Sequence, residues 1–473
     1  MLTIADVIEA LGIDRPEWAS VEIACAVVDS RIATEGCLFV AVEGENVDGH
    51  DFIDEAVENG AKLVFVQKPL PSGYRVMELH QAAISKNIEK IDTPFCIRVN
   101  DTIAAVQQTA RFWRQKLNPK VVGITGSVGK STTKEVSAEV LNQKYQTLKN
   151  PGNLNNEIGL PLTILSLTEE HQIAVLEMGF YVPGEIKFLC DIAKPQVGVV
   201  TNIGTVHAER AGTQKAIAEG KSELVQALPS APDGVAILNY DDPWVRGMAA
   251  QTDARIFYYG LDPRAELWAD NVEGLGLDGI RLRLHYQNET QYLRIPLIGR
   301  HSVHTVLRAA ALGLVEDLTW EEIINGLRTG RAQLRLVAVR SSGGALILDD
   351  TYNASPESTI AALNLLEELD GNKIAVLGDM LELGQYEYEG HRMVGGRAAE
   401  VVDELVVVGK RAEIIARTAH KIGLSGEKIT KLENSQQVVD FLNDRLDAND
   451  VVLVKGSHAM RLDQVVTALE KSE

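Results

Sequence analysis

Short apolar runs that end in polar or turn residues recur along the chain and set the first expectation. Over the first hundred residues "VEIACAVVDSR", "CLFVAVEG" and "AKLVFVQ" read as strands of a small α/β unit, with "DGHDFIDEAVENGA" as a loop running into a helix. Near Asn100 the spacing becomes helical. From Thr102, "TIAAVQQTARFWRQKL" sets Ile103, Val106, Ala110, Trp113 and Leu117 on one face, with Asn100 or Asp101 as N-cap. In the middle, "IAVLEMG", "VGVVTNIG" and "GVAILNYDD" are apolar runs that close on Glu177, on Asn202 and Gly204, and on Asp241 and Asp242. "GIRLRLHYQNETQYLRIPL" alternates instead, around a polar turn at Gln287 to Thr290, and predicts a hairpin. After about residue 330 the strand-then-polar device returns in "ALILDDTYN", "KIAVLGDM", "ELVVVGK" and "DVVLVKGS", with helical patterns between them, which predicts a doubly wound domain.

The 473 residues suggest about three domains at ~150 residues each. Breaks in the pattern place them at 1–97, 98–330 and 331–473: a small α/β unit, a central unit with a mostly parallel sheet, and a Rossmann-like doubly wound unit. Lysine and arginine number 46 against 66 aspartates and glutamates, a formal charge of −20, which argues against a nucleic-acid partner and against an anionic membrane surface. Four cysteines, at 25, 37, 96 and 190, are too few and too irregularly spaced for a disulfide framework or a zinc site, so buried thiols are expected. The segment "MLTIADVIEALGI" carries Asp6 and Glu9 where a signal peptide needs basic residues, and no apolar run has the ~18 residues of a membrane span. No membrane insertion and a reducing cytoplasm are the expectation.

The segment "GITGSVGKSTTKE" follows the apolar pair Val121-Val122 and opens a helical stretch, so amides of a glycine-rich turn and a helix N-terminus would point at phosphate. Lys130 would meet the outer phosphates and Ser131 a magnesium ion. Ile124 stands where the usual pattern has its first glycine, which makes this loop a shortened variant and leaves the base, and hydrolysis against transfer, open. Glu177, at a strand end, suits magnesium better than a helix cap. His207 reads equally as a satisfied polar side chain or a ligand. "NPGNLNNEIGLP", between helix and strand, reads as an ordinary loop or as a set of amides for a polar ligand. Lys221 in "AIAEGKSEL" reads, on composition alone, as a solvated helix lysine. "LDDTYNASPES" pairs Asp349 with Asp350 before a turn and a helix start at Ser358, and is equally a ligand-facing loop. Parallel sheets gather ligands at the carboxyl ends of their strands, so the endings at Glu177, at Asn202 and Gly204, and at Asp241 and Asp242 are expected to share one crevice with the phosphate loop.

Taken in order, "DSR" with "FVAVEGENVDGHDF", the phosphate loop, "NPGNLNNEIGLP", "LEMG", "TNIGTVHAE", "AEGKSE", "GRH", "LDDTYNASPES", "LGDMLELG" and "VLVKGSHAM" resemble the Mur ligase family, ATP-dependent amide-bond ligases of peptidoglycan precursor synthesis. Within it, "DDTYNASPES" and "LGDMLELG" are similar to the member that adds D-alanyl-D-alanine to UDP-N-acetylmuramoyl tripeptide. The member that adds the third residue would carry Asp-Asn-Pro-Arg, which is absent here. Folylpolyglutamate synthase shares the central fold but usually lacks such a UDP-binding first domain. A nucleotide switch is the rival from another class; the only Asn-Lys pair, at 372 and 373, precedes Ile-Ala, so no guanine signature is present.

The resemblance implies ATP and magnesium as cofactors and a monomer with small-molecule partners. Gly126, Ser127, Val128, Gly129, Lys130, Ser131 and Thr132 would hold phosphates, while Ser131 and Glu177 would ligate one magnesium. His207 and a carbamate on Lys221 would serve a second. A carbamate turns a cation with an ordinary pKa of ~10.4 into an oxygen anion suited to magnesium. Asn153, Asn155 and Asn156 would place substrate and γ-phosphate; Ser30, Arg31, Asp48 and His50 would face the UDP portion. His301 would border the nucleotide, and Arg335, Asp350, Tyr352 and Asn353 would bring the last domain over ATP and dipeptide. One departure stands out. The family's "GRHNxxN" reads "GRHSVHT" here, with Ser302 and Thr305 in place of asparagines, and a hydroxyl cannot reproduce an amide's paired donor and acceptor.

Overall fold

The apolar runs become the strands of three main sheets in a computed structural model that describes residues 1–17, 19–44, 46–71, 73–79, 93–329 and 337–470. Among these residues the first main sheet has five parallel strands, in the order Cys25–Val27, Cys37–Val40, Leu63–Val66, Phe95–Arg98 and Arg75–Glu78. The second has nine. Its parallel part runs Thr147–Lys149, Ile173–Glu177, Lys120–Thr125, Val197–Val200, Val235–Asn239, Arg255–Gly260, Leu267–Gly274, and the hairpin Ile280–Tyr286 with Glu289–Ile295 extends that edge. The third has six strands, parallel except for Val337–Arg340, which runs against Leu346–Asp350. A short antiparallel pair, Leu2–Thr3 with Glu22–Ile23, completes the sheets.

The third sheet is buried on both faces, as a doubly wound unit requires. Leu348, Leu377, Leu405 and Leu453 face one apolar cluster, and Ile347, Val376, Val406 and Val452 face another. The first and second sheets are instead joined by one core. Helix Thr102–Leu117, capped by the Asp101 side chain on Ala104 N, places Val106, Ala110 and Trp113 between Leu38, Phe65 and Phe95 of the first sheet and Val121, Leu176 and Leu238 of the second. Ile103 and Leu117 are only half-buried, and Ala105 and Thr109 widen the buried stripe.

Several expectations change. Cys25 and Cys37 are register neighbours on adjacent strands and form a disulfide, so they are not thiols; Cys96 and Cys190 are buried thiols. The hairpin turn is Gln287-Asn288 alone, with Gln287 at φ 52°, because Tyr286 already pairs with Glu289. The asparagine-rich loop runs from strand Thr147–Lys149 into helix Gly159–Leu165, the reverse of the expected order. The helix after "DDTYN" starts at Pro356 and is capped by Ser355, with Ser358 completing a capping box. Among the described residues no helix is long and apolar enough to cross a membrane.

Candidate active site

Strand Lys120–Thr125 lies between Ile173–Glu177 and Val197–Val200, so the chain leaves it at a switch point of the sheet. The loop there needs its glycines. Gly126 has φ 146° and Gly129 φ 84°, and a Cβ on Gly126 would come 1.8 Å from Thr201 Oγ1. The neighbouring "TNIG" segment braces the loop: Val128 N donates to Asn202 Oδ1 at 2.9 Å, Thr201 Oγ1 donates to Val128 O at 2.7 Å, and Gly204 N donates to Ser127 Oγ at 2.9 Å. Lys130 opens helix Lys130–Leu141 and folds its Nζ back onto Gly126 O at 2.8 Å.

A cavity of about 1010 Å³ spreads from this loop to the third sheet. It is lined by Ser127 to Thr132, Asn153, Asn155, Glu177, His207 and His301 on one side and by Asp350, Tyr352 and Asn353 on the other. Glu177 is 1% exposed; Asn155 Nδ2 donates to its Oε1 at 2.8 Å, while its Oε2 is buried without a hydrogen-bond partner. His207 joins the two sides, its Nδ1 lying 2.8 Å from Glu382 Oε2. Burial, then the Lys130, Lys221 and Arg210 charges, push this imidazole down to about 3, so at neutral pH it is uncharged.

Lys221 departs most from its composition-based reading. It is fully buried on helix Gln214–Gln226, with Nζ donating to Gly126 O at 3.0 Å and standing 4.5 Å from the centre of the Phe180 ring. It lies behind the cavity wall, beside the phosphate loop. Burial, reinforced by the Lys130 charge, holds its pKa well below the ordinary lysine value.

Other candidates fall elsewhere. Asn156 Oδ1 accepts from Gly159 N at 2.8 Å and so starts a helix, outside the cavity lining. Asp349 accepts from Thr351 N and Oγ1 within its own turn, whereas Asp350 Oδ2 pairs with buried Lys455 Nζ at 2.7 Å. Arg335 lies outside the described residues. Ser30, Arg31, Asp48 and His50 gather around helix Ile53–Glu58 in the first unit: Ser30 Oγ donates to Glu55, and His50 bridges Asp48 Oδ1 and Gln67 N. Arg31 is exposed, its guanidinium on Asp29. Ser302 Oγ donates to Ile298 O, and Thr305 Oγ1 accepts from Arg308.

Two residues were missed. Lys134, fully buried, donates to Asn150 O at 2.7 Å and Gly152 O at 2.9 Å, and Asn150 in turn bonds both backbone atoms of Glu177. Lys134 follows Lys130 by one helical turn, which was the signal available. Among the described residues no group of three or more histidine, cysteine, aspartate or glutamate side chains is placed to hold a metal ion. A hard cation here would need hydroxyl, phosphate or carbamate oxygens beside Glu177.

Three family descriptions match in succession: "Mur ligase family, catalytic domain" over residues 22–115, "Mur ligase middle domain" over 124–313, and "Mur ligase, glutamate ligase domain" over 330–458. The chain is 33% identical over 462 residues to UDP-N-acetylmuramoyl-tripeptide--D-alanyl-D-alanine ligase of Bacillus subtilis, covering 97% of this chain and 95% of that one. Its fold is similar to MurF from Acinetobacter baumannii, with a TM-score of 0.82 and 29% identity over 98% of this chain and 97% of that chain. It is also similar to MurF ligase from Thermotoga maritima in complex with ADP, with a TM-score of 0.75 and 29% identity over 95% and 97% of the two chains. With this likeness over nearly its whole length, and a phosphate loop facing a third-sheet loop across one cavity, the chain belongs to the Mur ligase family.

Proposed function

We infer that the chain is an ATP-dependent amide-bond ligase that joins D-alanyl-D-alanine to UDP-N-acetylmuramoyl tripeptide, with ADP and phosphate as the other products. The observation that carries the reading is the near full-length likeness to the Bacillus subtilis ligase, on a chain whose "DDTYN" loop faces its phosphate loop. The tripeptide carboxylate is a poor electrophile, so it first attacks the γ-phosphorus of ATP; ADP leaves and an acyl phosphate remains. The dipeptide's neutral amine then attacks the acyl carbon, gives up its proton, and phosphate leaves from the tetrahedral intermediate.

Lys130 and the amides of Gly126 to Thr132 hold the charge that moves with the γ-phosphoryl group. Glu177 Oε2, buried without a hydrogen-bond partner and 4.0 Å from Lys134 Nζ, would hold a magnesium ion, with Ser131 as its companion ligand. Magnesium, when bound, supplies positive charge against the phosphate oxygens. Burial favours the uncharged amine of Lys221, the form that adds carbon dioxide with loss of a proton to give a carbamate; that carbamate and the His207 imidazole would hold a second magnesium ion. Asn153 and Asn155 orient the substrate at the mouth of the loop. Tyr352 and Asn353 present the dipeptide from the third unit, and Asp350, fixed by Lys455, faces the nucleotide. Ser30, Arg31, Asp48 and His50 receive the UDP portion. His301 borders the nucleotide, as does Arg335.

The domain limits that go with this reading are 1–97, 98–330 and 331–473. The enzyme works as a monomer in the cytoplasm, where ATP and nucleotide-linked precursors are supplied. Incubation with ATP, magnesium, UDP-tripeptide and D-alanyl-D-alanine, omitting each in turn and weighing products by mass spectrometry, tests it. The expected product is the tripeptide plus the dipeptide less water, and only in the complete mixture. Addition of a single diamino acid to the UDP-dipeptide, or of glutamate to a folate, would overturn the substrate assignment.

A further inference from the structure

Helix Val303–Val315 packs against the phosphate-loop helix Lys130–Leu141 and brings Arg308, 4% exposed, behind the loop. Its three nitrogens meet only hydroxyls: Nε donates to Thr133 Oγ1 at 2.7 Å, Nη2 donates to Thr305 Oγ1 at 3.0 Å, and Nη1 lies 3.5 Å from the Tyr259 oxygen. Among the described residues no carboxylate forms an ion pair with it. A buried charge without a counter-charge is strongly disfavoured, and these neutral partners leave guanidinium N–H groups to spare. Arg308 lines the same cavity as Gly129, Lys130 and Thr132. A Cβ built on Gly129 would lie 3.0 Å from Arg308 Nη2, so the guanidinium rests against the turn of the loop.

We propose that Arg308 is a second fixed cation of the nucleotide site, and that the phosphates of the bound nucleotide are its missing counter-charge. This rests on the nucleotide reading of the cavity. It also accounts for the departure at "GRHSVHT": the Thr305 hydroxyl is committed as an acceptor to Arg308, one helical turn on, so it serves the phosphate end of the site and not the base. The same charge reaches His304, which burial and then Arg308 push down to about 4. Arginine suits the task because its planar fork binds phosphate oxygens while its remaining N–H groups stay anchored.

The test compares ADP with adenosine, which shares the base and ribose but has no phosphate. Binding is measured on the full chain by calorimetry for ADP and by ligand-detected NMR for adenosine. R308M removes the charge and its hydrogen bonds; R308Q removes the charge but still reaches the neighbouring hydroxyls, and it carries the test if R308M fails to melt cooperatively. Both are expected to weaken ADP about 10-fold or more, as for loss of a charge-assisted bond, and to leave adenosine within about 2-fold. R308K, which keeps the charge, is expected to recover part of the ADP affinity. ADP binding as tight as wild type in R308Q overturns the proposal. So does an equal loss for ADP and adenosine, the mark of a strut that merely holds the helix. Wild-type protein that binds neither ATP nor ADP would instead overturn the nucleotide reading itself.

Discussion

The two joints between the three units are built differently. Between the first and second units the joint is built on apolar packing: Val106, Ala110 and Trp113 share one core with both sheets, and polar contacts cross beside it, Thr102 Oγ1 on Ala41 O at 2.9 Å, Gln108 Nε2 on Ala10 O at 2.8 Å and Lys116 Nζ on Asp6 Oδ1 at 2.5 Å. Between the second and third units the contacts are mostly polar, although Ile298 packs against the third unit's core and Tyr386 against the core shared by the first two. His207 meets Glu382, Arg300 Nε meets Glu368 Oε1 at 3.2 Å, Gln214 N donates to Tyr386 OH at 3.2 Å, and Asn153 Nδ2 reaches Tyr352 OH at 3.5 Å. Buried apolar area stabilises by ~25 cal/mol per Å² whatever its geometry, whereas a solvent-accessible ion pair contributes about 0–1 kcal/mol and is easily exchanged for water. The first joint therefore fixes the first unit to the phosphate loop. The second, which carries the cavity, can part to admit substrates and close to keep water from the acyl phosphate.

The largest expected effect comes from cutting into the apolar joint. Trp113→Ala should lower stability by about 3–5 kcal/mol, with the first and second units melting together in chemical denaturation; a loss under about 1 kcal/mol would break the comparison. Beside the phosphate loop, Lys221→Ala should cost less stability than Trp113→Ala and lower kcat by roughly 10²-fold. Lys130→Ala should do the same, and near-normal turnover in either variant would contradict its role. Glu382→Gln, which keeps the shape of the His207 contact but not its charge, should lower kcat about 10-fold with no change in melting, the usual scale for a residue that orients a ligand. An unchanged kcat would show that the polar joint is idle.

The smallest effect is the third unit's share of a pH dependence to which the buried His207, His301 and His304 of the second unit also contribute. His391 is fully buried, its Nε2 accepting from Met380 N at 3.1 Å and its Nδ1 facing Glu387 O at 2.7 Å, so burial lowers its pKa from 6.5. The unfolded chain therefore binds this proton at a higher pH than the folded one. Stability from this group is complete well above pH 6.5 and declines as pH falls through and below it. Thermal melts between pH 7 and 5 should show the third unit losing stability, and His391→Gln should flatten that slope; an unaltered slope would remove His391 as its cause.

The phosphate loop was legible because strand, glycine turn and helix are neighbours in sequence, and the glycines are demanded by positive φ within that turn. Lys221 was not. Its neighbours Glu219, Ser222 and Glu223 look solvated, and its burial depends on Phe180 and Gly126, which come from two other elements. A Cβ on Gly220 would fall 2.1 Å from Phe180, so the glycine before the lysine was the local trace of that packing. The Cys25–Cys37 bond was hidden for a similar reason: the register of two parallel strands sets it, and cysteine spacing does not reveal that register. Asn156 is placed at the substrate by the resemblance, and no local pattern signals that its Oδ1 also accepts from Gly159 N at the first turn of helix Gly159–Leu165. The His207–Glu382 contact spans the polar joint, where no periodicity signals the pairing.

The direct test of the account is the fate of oxygen at that joint. UDP-N-acetylmuramoyl tripeptide labelled with ¹⁸O in its terminal carboxylate is turned over with ATP, magnesium and D-alanyl-D-alanine, and the released phosphate is analysed by mass spectrometry. Attack of the carboxylate on the γ-phosphorus predicts one labelled oxygen in each phosphate released with amide product. Phosphate free of label, formed together with the amide, would contradict it.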